Sequence, residues 1–183
     1  MTIIYKICFW FFIFTITSCG IYSFEGSTLH PDISNLQINN FTNKSGNNSA
    51  ILIQTIEEEI KNIFLEKSKL KISSYGDIII DGEIEEYKII PLSVSSGEIA
   101  TLNRLNIKIN VKCNNKIENE SSFEKTFNRY VDYESNKDLN THDLQFAEEN
   151  SITDPNMSLE EMIIFKICKQ ICEDIYYQTV SNW

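Results

Sequence analysis

The side chains with most chemistry to offer in this sequence are its five cysteines and two histidines. Cys19 follows Thr17-Ser18 at the end of an apolar run. Small residues before a cut are what a signal peptidase requires, and a cysteine immediately after them is a narrower feature. Cys168 and Cys172 lie four apart and share one face of any helix that carries them. A metal pair is conceivable, but zinc sites draw on further Cys or His at recognisable spacing, and packing as small apolar groups is the better reading. Cys113 completes a set of three that cannot all pair, which argues against a disulfide framework. His30 and His142 stand far apart. Asp138, His142 and Asp143 match no known ligand loop, and neither a phosphate-binding glycine loop nor a His-Glu-x-x-His pair occurs. The expectation is a protein that is not an enzyme and has no metal and no cofactor.

What surrounds Cys19 sharpens its chemistry. Lys6 supplies a positive start, and Ile7 to Ile16 form an apolar run of roughly 10 residues, short of the about 20 needed to cross a bilayer but suited to a signal peptide. Ile16-Thr17-Ser18-Cys19 resembles the bacterial lipobox. That resemblance implies a diacylglyceryl group on Cys19, cleavage after Ser18 and acylation of the new amine. Each buried CH₂ contributes about 0.8 kcal/mol and stable attachment takes two chains, so a multiply acylated terminus would hold. An ordinary signal peptide with a chance cysteine and an uncleaved anchor are the alternatives. Gly20 is not the Asp that by the usual sorting convention retains lipoproteins in the inner membrane, so the outer membrane is expected. The chain divides into a signal peptide (1–18), a lipidated N-terminus and linker (19–32) and a single α+β domain (33–183).

Removing 18 of 183 residues leaves 165, ample for one core, and loss of Lys6 takes the formal charge from −10 to −11. Such a chain should repel nucleic acid and has no strong electrostatic pull toward anionic lipid surfaces. Sequons at Asn40, Asn43, Asn47, Asn119 and Asn156 are expected by chance in so Asn-rich a chain.

The elements that position these residues follow from periodicity. A first strand runs from Ile33 to near Phe41. Ile53, Ile56, Ile60, Ile63 and Phe64 then predict an amphipathic helix, with Ser49 as N-cap and Lys67, Lys69 and Lys71 at its C-terminal end. Ile78, Ile80 and Ile84 predict a second strand. The shift of apolar parity to Tyr87 and Ile89 calls for a bulge, and Pro91 for an end or an edge. The clearest strand turns Leu105, Ile107, Ile109, Val111 and Cys113 one way and Arg104, Asn106, Lys108, Asn110 and Lys112 the other. This is the mark of an antiparallel sheet covered on one side, and the polar row is the candidate contact face. Ser121 to Tyr133 makes the partner strand. Ser135 to Asn156 reads as a mobile acidic loop, and Ser158 to Glu161 as a capping box that opens a final helix carrying Ile164, Ile167, Cys168, Ile171 and Ile175. Its terminal aromatics Tyr176, Tyr177 and Trp183 are placed to close the core. The fold class is α+β, a two-layer sandwich with a mainly antiparallel four-stranded sheet and two helices on one face, in the order β-α-β-β-β-α.

Several blocks carry a wider likeness. Cys19-Gly20-Ile21-Tyr22-Ser23-Phe24, the run Asn103 to Val111, the run Phe127-Asn128-Arg129-Tyr130-Val131-Asp132-Tyr133, and the ending Asn182-Trp183 together resemble the LPS-assembly lipoprotein family, LptE. The resemblance implies a helix-on-sheet fold and an outer-membrane lipoprotein facing the periplasm. Its implied partner is LptD, a large LPS-translocating β-barrel whose lumen it occupies, and lipopolysaccharide is a further implied ligand. For phosphorylated lipid A, Lys108, Lys112, Lys125 and Arg129 are the basic residues at hand. A lipid-anchored binding or pilot module of another envelope complex, and a lipid-modifying enzyme, are the competing readings.

Overall fold

The computed structural model describes residues 29–46, 50–92 and 102–180. Cys19, Ser49, Trp183 and the loop residues 93–101 lie outside them. The elements run β1 (Asn35–Ile38), β2 (Thr42–Asn43), α1 (Ala50–Lys67), β3 (Lys71–Ile72), β4 (Ile78–Leu92), β5 (Leu102–Asn115), β6 (Phe123–Glu134), α2 (Leu144–Glu149) and α3 (Leu159–Val180). Strands order as β3-β1-β4-β5-β6, and β2 continues the β1 edge against β4. The long ladders β4–β5 and β5–β6 are antiparallel, whereas β1 and β2 run parallel to β4. The fold is thus the expected α+β sandwich, with a mixed sheet two short strands richer than the four read from periodicity. Two-residue strands carry no period that a sequence pattern could reveal.

One face of the sheet is closed by α1 and α3, which run parallel. Phe64 packs edge-on against Tyr176 at 5.2 Å, the Tyr176 hydroxyl donates to the Lys67 carbonyl at 2.6 Å, and the Cys172 thiol reaches the Ile56 carbonyl at 3.8 Å. Leu52, Ile56, Ile60 and Phe64 meet Ile164, Ile167 and Ile171 over the buried side of β5. All five apolar residues predicted for that side of β5 are buried. The capping box also forms: the Ser158 amide donates to Glu161 Oε2 at 2.7 Å, and the Glu161 amide returns to Ser158 Oγ at 3.4 Å. Tyr176 is buried as expected, but Tyr177 is half exposed and closes nothing.

The expected bulge lies between Ile84 and Glu86. It turns Glu85 and Glu86 together toward the open face, where their carboxylates meet Lys108 and Asn106, and returns Tyr87 to the core. Pro91 does not end β4, which continues to Leu92. The reason is local: β1 and β2 pair with β4 only as far as Ile84, so at Pro91 the missing N–H faces an unpaired edge. The first strand breaks after Ile38 rather than running to Phe41, because Phe41 turns its ring over Gly82. A Cβ at Gly82 would lie 2.0 Å from that ring.

Ser135 to Asn156 is not a structureless loop. Asp143 caps the short helix α2 by accepting from the Phe146 amide at 3.0 Å, and Lys137 pairs with Asp143 at 2.7 Å. His142 Nδ1 contacts the Met157 carbonyl at 2.7 Å, and the Leu159 and Glu160 amides donate to the Thr141 and Leu139 carbonyls. These bonds hold the segment against the start of α3.

Candidate functional site: the open face of the sheet

The polar row of β5 lies on the face that no helix among the described residues covers, flanked on one side by β4 and on the other by β6. Cross-strand neighbours follow from the register: Arg104 stands opposite Asp132, Asn106 opposite Tyr130, Lys108 opposite Glu86 and Asn128, Asn110 opposite Glu83 and Thr126, and Lys112 opposite Asp81 and Glu124. A sheet face of this kind is stabilised pair by pair, and here nearly every pair is complementary.

Arg104 makes a two-pronged contact with Asp132, Nε to Oδ1 at 2.7 Å and Nη2 to Oδ2 at 2.9 Å, and its guanidinium stacks 3.7 Å from the centroid of the Tyr130 ring. The arrangement raises the guanidinium's pKa and lowers that of the Asp132 carboxyl, in each case chiefly through this shared hydrogen bond. Lys108 Nζ sits 3.0 Å from Glu85 Oε2, and Asn110 Nδ2 donates to Thr126 Oγ1 at 3.2 Å. Asn106 departs from expectation. It is only 9% exposed and donates to Glu86 Oε1 at 2.7 Å, so it is a buried, bonded strut rather than a solvated side chain. Further out, Asn39 Nδ2 reaches Asp81 Oδ1 at 2.7 Å and Lys44 reaches Glu83 at 2.6 Å. The face is therefore polar, ordered and internally neutralised.

The four basic residues at hand for lipid A do not form one patch. Lys108 and Lys112 lie on the open face, whereas Lys125 and Arg129 point to the helix side at the free margin of β6. There Lys125 meets Gln178 at 2.7 Å and Arg129 meets Asp174 at 2.5 Å. A groove of about 360 Å³ runs between β6 and α3, lined by Lys125, Phe127, Arg129, Asp174, Tyr177 and Gln178. Lys125 and Arg129 alternate in phase with the apolar Phe123, Phe127 and Val131, which puts them on the helix side. What alternation missed is that β6 is the sheet margin, where long basic chains reach past the core to the helix.

The cysteines are brought together only as packing. Cys113, Cys168 and Cys172 are free and buried, and burial pushes the Cys113 thiol up to about 11 and raises the other two as well. Asp138, His142 and Asp143 are used within the 135–157 segment, and no group of three His, Cys, Asp or Glu among the described residues could hold a metal ion. Tyr87 donates to Glu160 in a short hydrogen bond that ties β4 to the first turn of α3. Burial, and next the Glu160 bond, raise its phenol well above the usual range.

No family model matches the chain, and no curated protein does. Solved structures similar to it include a hypothetical protein from Chlamydia trachomatis (9% identity, 82% of this chain and 99% of that one, TM-score 0.49). An uncharacterized lipoprotein B from Nitrosomonas europaea is similar at 14% identity (81% and 83%, TM-score 0.47). The rare lipoprotein B from Shewanella oneidensis is similar at 10% identity (79% and 96%, TM-score 0.44). The likeness is one of backbone arrangement, and no residue's role comes with it.

Proposed function

We propose that this chain is a lipid-anchored protein on the periplasmic side of the outer membrane. In this reading it occupies and helps assemble a large LPS-translocating β-barrel of the LptD kind and so takes part in delivering lipopolysaccharide to the cell surface. The observation that carries the reading is the open sheet face. A barrel lumen is polar and water-filled, so a protein seated in it needs a surface that is polar yet holds its shape. On β5, Arg104, Asn106, Lys108 and Asn110 are each bonded to a neighbour on β4 or β6. Such a face presents fixed donors and acceptors to a partner without the entropy loss of ordering free side chains. The acyl group on Cys19 raises the local concentration at the membrane, so a modest interface suffices. The role is one of binding, not catalysis, and calls for no cofactor. The test is depletion followed by assay of barrel assembly and surface lipopolysaccharide. Accumulation of misassembled barrel with loss of surface lipopolysaccharide is expected, and unchanged levels of both overturn the reading.

A second reading, a binding or pilot module of another envelope complex, is favoured by β6. It runs twelve residues in unbroken register with β5 and, among the described residues, has no strand on its outer side. The groove beside it could receive alternate side chains of an added strand. Proline at whichever of Asn128 and Arg129 turns its N–H away from β5 would abolish a partner bound through that edge and spare one bound through the open face.

A further inference from the structure

The two ends of the sheet differ in character. The connections at residues 29–34, 68–71, 73–77 and 115–122 meet at one end. There the Lys116 amide donates to the Asp77 carbonyl at 2.8 Å and the Ser34 and Asn35 amides both donate to Asp77 Oδ2. This end carries Tyr75, 83% exposed, with Leu65, Ile72 and Ile117 also exposed around it. Lys69, Lys71 and Lys116 stand exposed at this end, as do Asp32 and Glu66. Among the described residues nothing covers these side chains, and aromatic and aliphatic side chains interleaved with lysine are what a membrane interface favours. The other end is formed by residues 134–161, in which eight acids stand against one lysine.

We propose that the end bearing Tyr75 and Ile117 docks on the phospholipid surface that holds the anchor, so that the domain, when not engaged with its partner, stands on the membrane with its strands rising from it. The chain leads into the fold at Leu29, at this same end. Nine residues lie between Cys19 and Leu29, ten Cα-to-Cα steps with a reach of about 35 Å when fully extended. The fourteen residues of β5 run the length of the sheet, roughly 45 Å. Standing on the acidic end would carry Leu29 beyond the tether's reach, and it would press the exposed carboxylates of Glu134, Asp138, Glu148, Glu149 and Asp154 against anionic headgroups. The exposed apolar rim selects the remaining upright orientation over one lying on the polar sheet face. The proposal rests on acylation of Cys19 and is independent of the identity of the protein partner.

The test uses the acylated protein, its lipid verified by mass, in vesicles of phosphatidylethanolamine with a minority of phosphatidylglycerol. A fluorophore is placed through Tyr75→Cys or, at the far end, through Leu144→Cys, with spin-labelled lipid as quencher. Quenching several-fold stronger at position 75 than at 144 is expected, and Ile117→Asp should reduce it at 75. Equal quenching at the two positions, or more at 144, overturns the orientation while leaving the barrel reading standing. A protein that carries no lipid on Cys19 overturns the orientation through its premise.

Discussion

Replacing Ile107 by Ala tests the layer order directly. Ile107 is fully buried at the centre of β5, between Tyr87 on β4 and Arg129 on β6 and on the side closed by the helices. Truncation removes three carbons, each worth about 0.8 kcal/mol of transfer. The cavity left in a packed core raises the total to about 3 to 4 kcal/mol. Lys108→Ala, one residue along, removes a half-exposed ion pair and should cost about 0.2 to 1 kcal/mol. Asn106→Ala falls between, about 1.5 to 3 kcal/mol, because a buried amide bonded to a carboxylate is lost. Urea unfolding followed by circular dichroism reads all three as midpoint shifts at constant slope. Equal losses for Ile107→Ala and Lys108→Ala would mean that both faces of the sheet are covered, and the assignment of the open face would fall with it.

Other expectations follow from single contacts. Gly82→Ala forces a methyl into the Phe41 ring and should cost about 1 to 3 kcal/mol, with much of the loss recovered in the Gly82→Ala, Phe41→Leu double variant; additive losses would refute the contact. Lys137, and next the Phe146 amide, hold the Asp143 carboxyl below its usual range. Its contribution is therefore present above the unfolded carboxylate pKa and lost as pH falls through the lower folded value, so the Phe146 amide resonance should titrate there, and Asp143→Ala should abolish that transition. Glu59 has the opposite sign: burial raises its pKa, its contribution is full below the unfolded value and lost as pH rises through the folded one, and Glu59→Gln should flatten that loss. Cys113, Cys168 and Cys172 should react with a thiol reagent at pH 8 only at the rate of unfolding; rapid labelling of any of them in the native protein would contradict their burial.

Much of this architecture is legible in the residues because it repeats. β5 alternates over ten positions, α3 opens with a capping box, and the parity shift at Ile84 marks the bulge before any geometry is known. What periodicity cannot reach is short or non-local. β2 and β3 are two residues each and exist only because β4 and β1 offer them edges. The helix α2 is too short and polar to show a stripe, and its one local signal was Asp143 as an N-cap before Leu144. Pro91 was legible as the mark of an edge but not as lying within β4, because which side of β4 is bare there depends on β1 and β2, which pair with it only as far as Ile84. Asn106 was legible as facing the open side, but not as buried, since burial depends on Glu86 being turned outward by the bulge and on Tyr130 standing opposite in β6.

Whether the open face of the sheet meets an outer-membrane β-barrel is read by site-specific photo-crosslinking in intact cells. A crosslinker at Lys108 or Asn110, on that face, should yield an adduct with a large β-barrel protein, identified by mass spectrometry. The same group at Glu58, exposed on the outer surface of α1, should not. Barrel adducts from Glu58 with none from Lys108 and Asn110, or no barrel adduct from any of the three, would contradict that contact.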